Sequence, residues 1–165
     1  MFQRELFAVI ALVALGLAMT TRVEAQTTQT GTITNGSIVY YSFTPPASGQ
    51  LVATLSWDNQ SSVLLFVLVC GTSDPMIYGI ASGLLDRTAR LESGIVGLNP
   101  CVIAVSGTPG ATAAYRLNVQ RSTDQLATAQ TATLRDVEPG TARPVEARLV
   151  EEAERALSVV RARLQ

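Results

Sequence analysis

Between residues 28 and 120 the chain alternates short apolar runs with clusters of turn residues, and no helical period intervenes. Residues 50–57 (QLVATLSW) set Leu51, Ala53, Leu55 and Trp57 on one face and Thr54 and Ser56 on the other, the period of a half-buried strand. Residues 114–120 repeat the pattern, with Tyr115, Leu117 and Val119 inward. Residues 37–44 (SIVYYSFT) form another strand, stopped by Pro45-Pro46. There Tyr41 and Phe43 face inward, and Tyr40 falls on the opposite phase, toward solvent. Residues 63–70 (VLLFVLVC) are apolar throughout, which predicts that both faces of this strand are covered. Residues 30–34, closed by the hairpin signal Asn35-Gly36, and residues 76–82, 88–96 and 101–106 complete a set of about eight strands.

Short, evenly spaced strands without intervening helices predict an all-β fold. The expected architecture is an antiparallel β-sandwich, jelly-roll or immunoglobulin-like, across residues 26–120. Its expected core is Tyr41, Phe43, Leu51, Leu55, Trp57, Leu64, Phe66, Leu68, Ile103, Val105, Tyr115, Leu117 and Val119. The small polar residues of 121–143 read as a linker. Residues 144–165 then read as a C-terminal α-helix. Pro144 suits a first helical position, Glu146, Glu151, Glu152 and Glu154 lie early, and Arg155, Arg161 and Arg163 lie late, matching the helix dipole. Val150, Ala153, Leu157, Val160 and Leu164 form one apolar seam. That seam either joins a second copy, giving a homo-oligomer, or packs back on the sandwich.

The first 25 residues read as a signal peptide. A short head carries Arg4, residues 6–19 (LFAVIALVALGLAM) are apolar, and residues 20–25 (TTRVEA) are a polar exit. Cleavage is expected between Ala25 and Gln26. The apolar run is shorter than the ~20 residues a helix needs to cross a bilayer, so no membrane span is expected after cleavage. The mature chain is thus expected to be secreted or periplasmic. In such a compartment the two cysteines, Cys70 and Cys101, read as one disulfide.

Composition narrows the chemistry. Net charge is −1 with mixed signs, so there is no basic stripe for nucleic acid. The chain has no His, and its twelve basic residues are all Arg. The usual proton shuttle near neutral pH and the usual activator of a Ser nucleophile are therefore missing. Ser61, Ser62, Thr72 and Ser73 read as turn chemistry. Asp58, Asp74, Asp86 and Glu92 do not follow a calcium-loop spacing, so neither metal nor cofactor is expected. Trp57 lies on the inward phase and reads as core. What remains for recognition is a loop surface around Tyr40, Asp58, Asn59 and Tyr78, open to a protein or polysaccharide ligand.

Four segments resemble the bacterial pre-peptidase C-terminal domain, a small β-sandwich of exported proteins. Tyr41-Ser42-Phe43 resembles its aromatic-x-Phe strand, and residues 51–55 its next alternating strand. Residues 101–105 (CVIAV) resemble its Tyr-Tyr-Ile-x-Val strand, with Cys101 where an aromatic is usual, and residues 115–119 (YRLNV) its closing Tyr-x-Leu-x-Val. The family's Asp-x-Asp-Leu motif is replaced here by Ser61-Ser62-Val63-Leu64-Leu65. The resemblance implies a non-catalytic accessory module, linked in that family to binding, secretion or maturation of a neighbouring enzyme.

Overall fold

A computed structural model describes residues 23–73, 75–83, 86–123 and 134–164. Nine strands precede one long helix among these residues. They are β1 (Val23–Ile33), β2 (Ile38–Phe43), β3 (Gly49–Trp57), β4 (Leu64–Cys70), β5 (Met76–Ser82), β6 (Thr88–Ile95), β7 (Cys101–Gly107), β8 (Ala113–Thr123) and β9 (Arg135–Val137), then α1 (Pro144–Arg163). One sheet runs β1-β8-β3-β6 and the other β5-β4-β7-β2-β9, with every pairing antiparallel. The sheets pack face to face, sandwich-like, around a core that contains every inward residue expected from the alternation, from Tyr41 and Trp57 to Val119.

The connections differ from the expectation at Asn35-Gly36. Both residues have positive φ (52° and 69°), as the sequence predicts for a tight turn. Yet β1 pairs with β8 while β2 pairs with β7 and β9, so the turn carries the chain from one sheet to the other. Turn chemistry sets the reversal, and burial of the flanking strands sets whom they pair with. β1 also begins at Val23, well before residue 30. Its Thr- and Gln-rich part lies at a sheet edge, where backbone pairing with β8 defines the strand without an apolar rhythm. The expected leader falls on residues 1–22, outside the described residues, and on Val23, Glu24 and Ala25, which extend the β1 ladder.

The segment read as a linker is also more structured than expected. β8 continues to Thr123, and Arg135–Val137 joins β2 as an edge strand. Leu134 is buried in the core between the sheets and Val137 beneath the helix. Only residues 124–133 lie outside the described residues in this stretch.

The helix packs on the chain's own sheet. Val150, Ala153 and Leu157 are buried with Leu149 and Ala156 against Leu65, Val67, Val69, Val102 and Ala104, and Val160 and Leu164 flank this second core. The apolar seam is thus used internally, the second of the two expected alternatives. It also explains the unbroken apolar run of β4: Leu64, Phe66 and Leu68 face the other sheet, while Leu65, Val67 and Val69 face the helix. Cys70 and Cys101 stand opposite each other on β4 and β7 and form the expected disulfide, with Cα atoms 4.1 Å apart.

Candidate functional site

The structure separates the four candidate recognition residues. Tyr40 is buried, not exposed: its ring lies in the core between the second sheet and α1, and its hydroxyl donates a 2.6 Å hydrogen bond to Glu154 Oε1. Burial, and then the neighbouring Glu154, push its pKa above the ordinary tyrosine value. Alternation placed Tyr40 on the second face of its strand, but that face is roofed by the helix.

Asp58 and Asn59 are exposed at the end of the sandwich where β3 runs into β4. Their side chains serve the turn. Asp58 Oδ1 accepts the Ala114 N–H at 3.0 Å; Asn59 Oδ1 accepts the Ser61 N–H at 2.9 Å, and its Nδ2 donates to Thr112 O at 2.7 Å. Asp58 also borders a shallow hollow of about 520 Å³ with Thr30, Thr32, Ser56 and Arg116. Tyr78 belongs to β5, and its side chain lies outside the described residues, as does Asp74. Trp57 is core, as expected, with Nε1 donating to Ser62 O at 2.8 Å.

The opposite end of the sandwich gathers features outside the four candidate recognition residues. Three turns meet there, β2–β3, β4–β5 and β6–β7, and the backbone ties them together. The Gly71 N–H donates to Pro100 O at 3.0 Å, and the Leu98 N–H to Pro45 O at 2.7 Å. Leu98 has φ of 64°, a left-handed conformation that costs a bulky side chain about 1–2 kcal/mol. Its side chain is nevertheless 75% exposed. Val96 beside it and Met76 at the start of β5 are exposed as well, Met76 by 61%. A strained backbone carrying an apolar side chain into water is an outlier that calls for a function.

Beside these turns lies the start of α1. Glu146 is buried, and its Oε2 accepts the Arg143 N–H at 3.1 Å, closing the first turn of the helix. Its Oε1 receives Arg143 NH2 at 2.8 Å and Arg135 NH2 at 2.5 Å. The Arg143 bond, more than the burial that opposes it, holds the Glu146 carboxyl at a pKa of about 2. This cluster joins α1 to β9 and β2. It also stands between two connected hollows of about 340 and 420 Å³, which share Thr44, Pro100, Arg143 and Glu146. Phe43 and Leu134 wall the first hollow, and Pro144 and Val145 the second.

The signals for this end were present in the sequence. Leu98 is an apolar residue set between Gly97 and Asn99-Pro100, where a turn asks for polar residues. Glu146, three residues after Arg143 and two after Pro144, is a helix-start pattern. No group of three or more metal-ligating side chains occurs among the described residues. Nor is any described helix long and apolar enough to cross a membrane.

No family model and no curated protein matches the chain. The structure is similar to that of the Yersinia pseudotuberculosis-derived mitogen, at 16% sequence identity and a TM-score of 0.51, covering 74% of this chain and 100% of that one. It is also similar to PliG, a periplasmic inhibitor of g-type lysozyme from Aeromonas hydrophila, at 17% identity and a TM-score of 0.44, covering 59% of this chain and 86% of that one. A third likeness is to PirA, at 13% identity and a TM-score of 0.39, over 58% of this chain and 93% of that one. The likeness to the mitogen is one of fold, and the other two TM-scores carry no further argument.

Proposed function

We propose that the chain works outside the cytoplasm as a non-catalytic module that binds a protein partner through the turn end of its sandwich. The observation that carries this reading is Leu98, apolar, exposed and held in a left-handed conformation at the tip of the β6–β7 turn. Met76 and Val96 extend the exposed apolar surface at the same end. An extracytoplasmic location is supported by the leader-like residues 1–25 and by the Cys70–Cys101 disulfide. The lack of His and Lys, and the use of the Asp58 carboxylate inside a turn, favour binding over catalysis. The resemblance of residues 41–43, 51–55, 101–105 and 115–119 to the pre-peptidase C-terminal domain agrees with an accessory role and is part of the proposal.

A protein ligand is favoured over a polysaccharide by the placement of the aromatics. Sugar-binding surfaces stack rings on exposed aromatic side chains. Among the described side chains the aromatics Tyr40, Tyr41, Phe43, Trp57, Phe66 and Tyr115 are all buried. The test is a photo-crosslinking residue at position 98 in the exporting cell, alongside Leu98→Asn. Asn tolerates the left-handed backbone, so the melting temperature should hold or rise slightly. Crosslinking to a discrete protein, with co-purification lost in Leu98→Asn, is expected. Glycan-array binding indifferent to Leu98, with no crosslinked protein, would refute the reading.

A further inference from the structure

The two hollows beside the helix start specify what part of a partner they would hold. Resting on the protein-binding reading above, we infer that the cleft between β2, the β6–β7 turn and α1 takes an extended segment in which an Asp or Glu is flanked by apolar residues. The charge balance is the first argument. Among the described residues, Arg135, Arg143 and Glu146 are the ionisable groups that line the hollows, two cations against one anion. Glu146 is ionised, since its carboxyl is held far below its ordinary pKa by Arg143. The lining thus keeps one positive charge unmatched.

The donors are the second argument. A guanidinium has five N–H groups in a planar fork. Arg135 and Arg143 each turn one NH2 toward Glu146, while their side chains stay 58% and 71% exposed. Glu146 therefore fixes one end of two forks that line the cleft and stay largely open to solvent. That is preorganisation: the rotamer freedom a bound carboxylate would have to remove is already reduced.

The shape is the third argument. Arg143 lines both hollows, so the cleft continues past it in two directions instead of ending there. A chain terminus suits a closed end; a cleft that passes its charged centre suits an internal segment. The apolar walls on either side, Phe43 and Leu134 in one hollow and Pro144 and Val145 in the other, match an apolar side chain before and after the acid.

The experiment is an amide-shift titration of the whole mature protein with acetyl-Leu-Glu-Val-amide, with its Gln analogue, and with inorganic phosphate. The Glu peptide should shift Thr44, Thr72, Leu134 and Val145 and bind roughly tenfold or more tightly than the Gln peptide, the ratio expected when a charge-assisted bond is lost. Phosphate at the same concentration should leave Leu134 and Val145 in place. Arg143→Gln should lose the Glu preference, and a melting curve establishes that this variant is folded; the comparison of the two peptides on the unaltered protein does not depend on it. Equal binding of the Glu and Gln peptides, no binding of either, or phosphate displacing the Glu peptide with the same shifts would overturn the inference. These outcomes are separable from failure of the protein-binding reading. A protein crosslinked at position 98 with no peptide preference sinks only the acidic-segment inference. Peptide preference without a crosslinked protein sinks only the Leu98 surface.

Discussion

The hydroxyl of Tyr40 and the carboxylate of Glu154, 114 positions apart in the chain, meet at 2.6 Å where the helix roofs the second sheet. The ring is buried and its only polar atom reaches the rim, so one residue serves both the apolar contact and its polar edge. Tyr40→Phe keeps the ring and removes the bond. It should lower stability by about 1 kcal/mol, read from the denaturation midpoint. Tyr40→Ala should cost ~3–5 kcal/mol, as for other buried aromatics. Equal, negligible effects of both variants would show that the helix does not sit on this face.

The Cys70–Cys101 bridge joins neighbouring strands and closes a loop of 31 positions. Thiol titration of the denatured, unreduced protein should find no reactive cysteine. Replacing both by Ser should lower stability by roughly 2–4 kcal/mol while preserving the far-ultraviolet spectrum. Two titratable thiols in exported protein would contradict the pairing.

Acid should weaken the attachment of the helix. The carboxyl of Glu146 has a folded pKa of about 2, depressed chiefly by its bond to Arg143. A depressed acid contributes stability that is complete above its ordinary pKa, near 4.5, and is lost as pH falls toward 2. The denaturant midpoint should therefore fall between about pH 5 and pH 2. Glu146→Gln should cost about 2–3 kcal/mol at neutral pH, less than a fully buried pair because both arginines are solvated, and should flatten that acid slope. An unchanged slope in the variant would assign the acid loss to other groups.

What the sequence made legible follows from what each signal encodes. Period-two alternation in residues 50–57 and 115–119 reports one buried face, and every residue it placed inward is in the core. It does not report what covers the other face, and this is why Tyr40 was expected in water. The necessary clue lay elsewhere: the unbroken apolar run of residues 64–70 needs two covers, and the seam of Val150, Ala153 and Leu157 is the second. Taken together, those two segments imply a helix on the sheet and a buried Tyr40. The candidate residues are spread apart for a related reason. Asp58 follows β3 in one sheet and Tyr78 belongs to β5 at the edge of the other, a separation set by strand order and invisible to local turn signals. The arginine–glutamate cluster joins residues 135 and 146 through an edge strand only three residues long, too short for periodicity to register.

A sheet with two apolar faces has a timetable. β4 can bury Leu64, Phe66 and Leu68 as soon as the opposing sheet forms, but Leu65, Val67 and Val69 wait for α1. A chain delivered from its amino end passes through an interval in which the second face is bare. During that interval the same surface can meet another nascent chain as readily as its own helix. The yield of folded protein should therefore depend on how crowded the exit is, and on whatever occupies that face until the helix arrives.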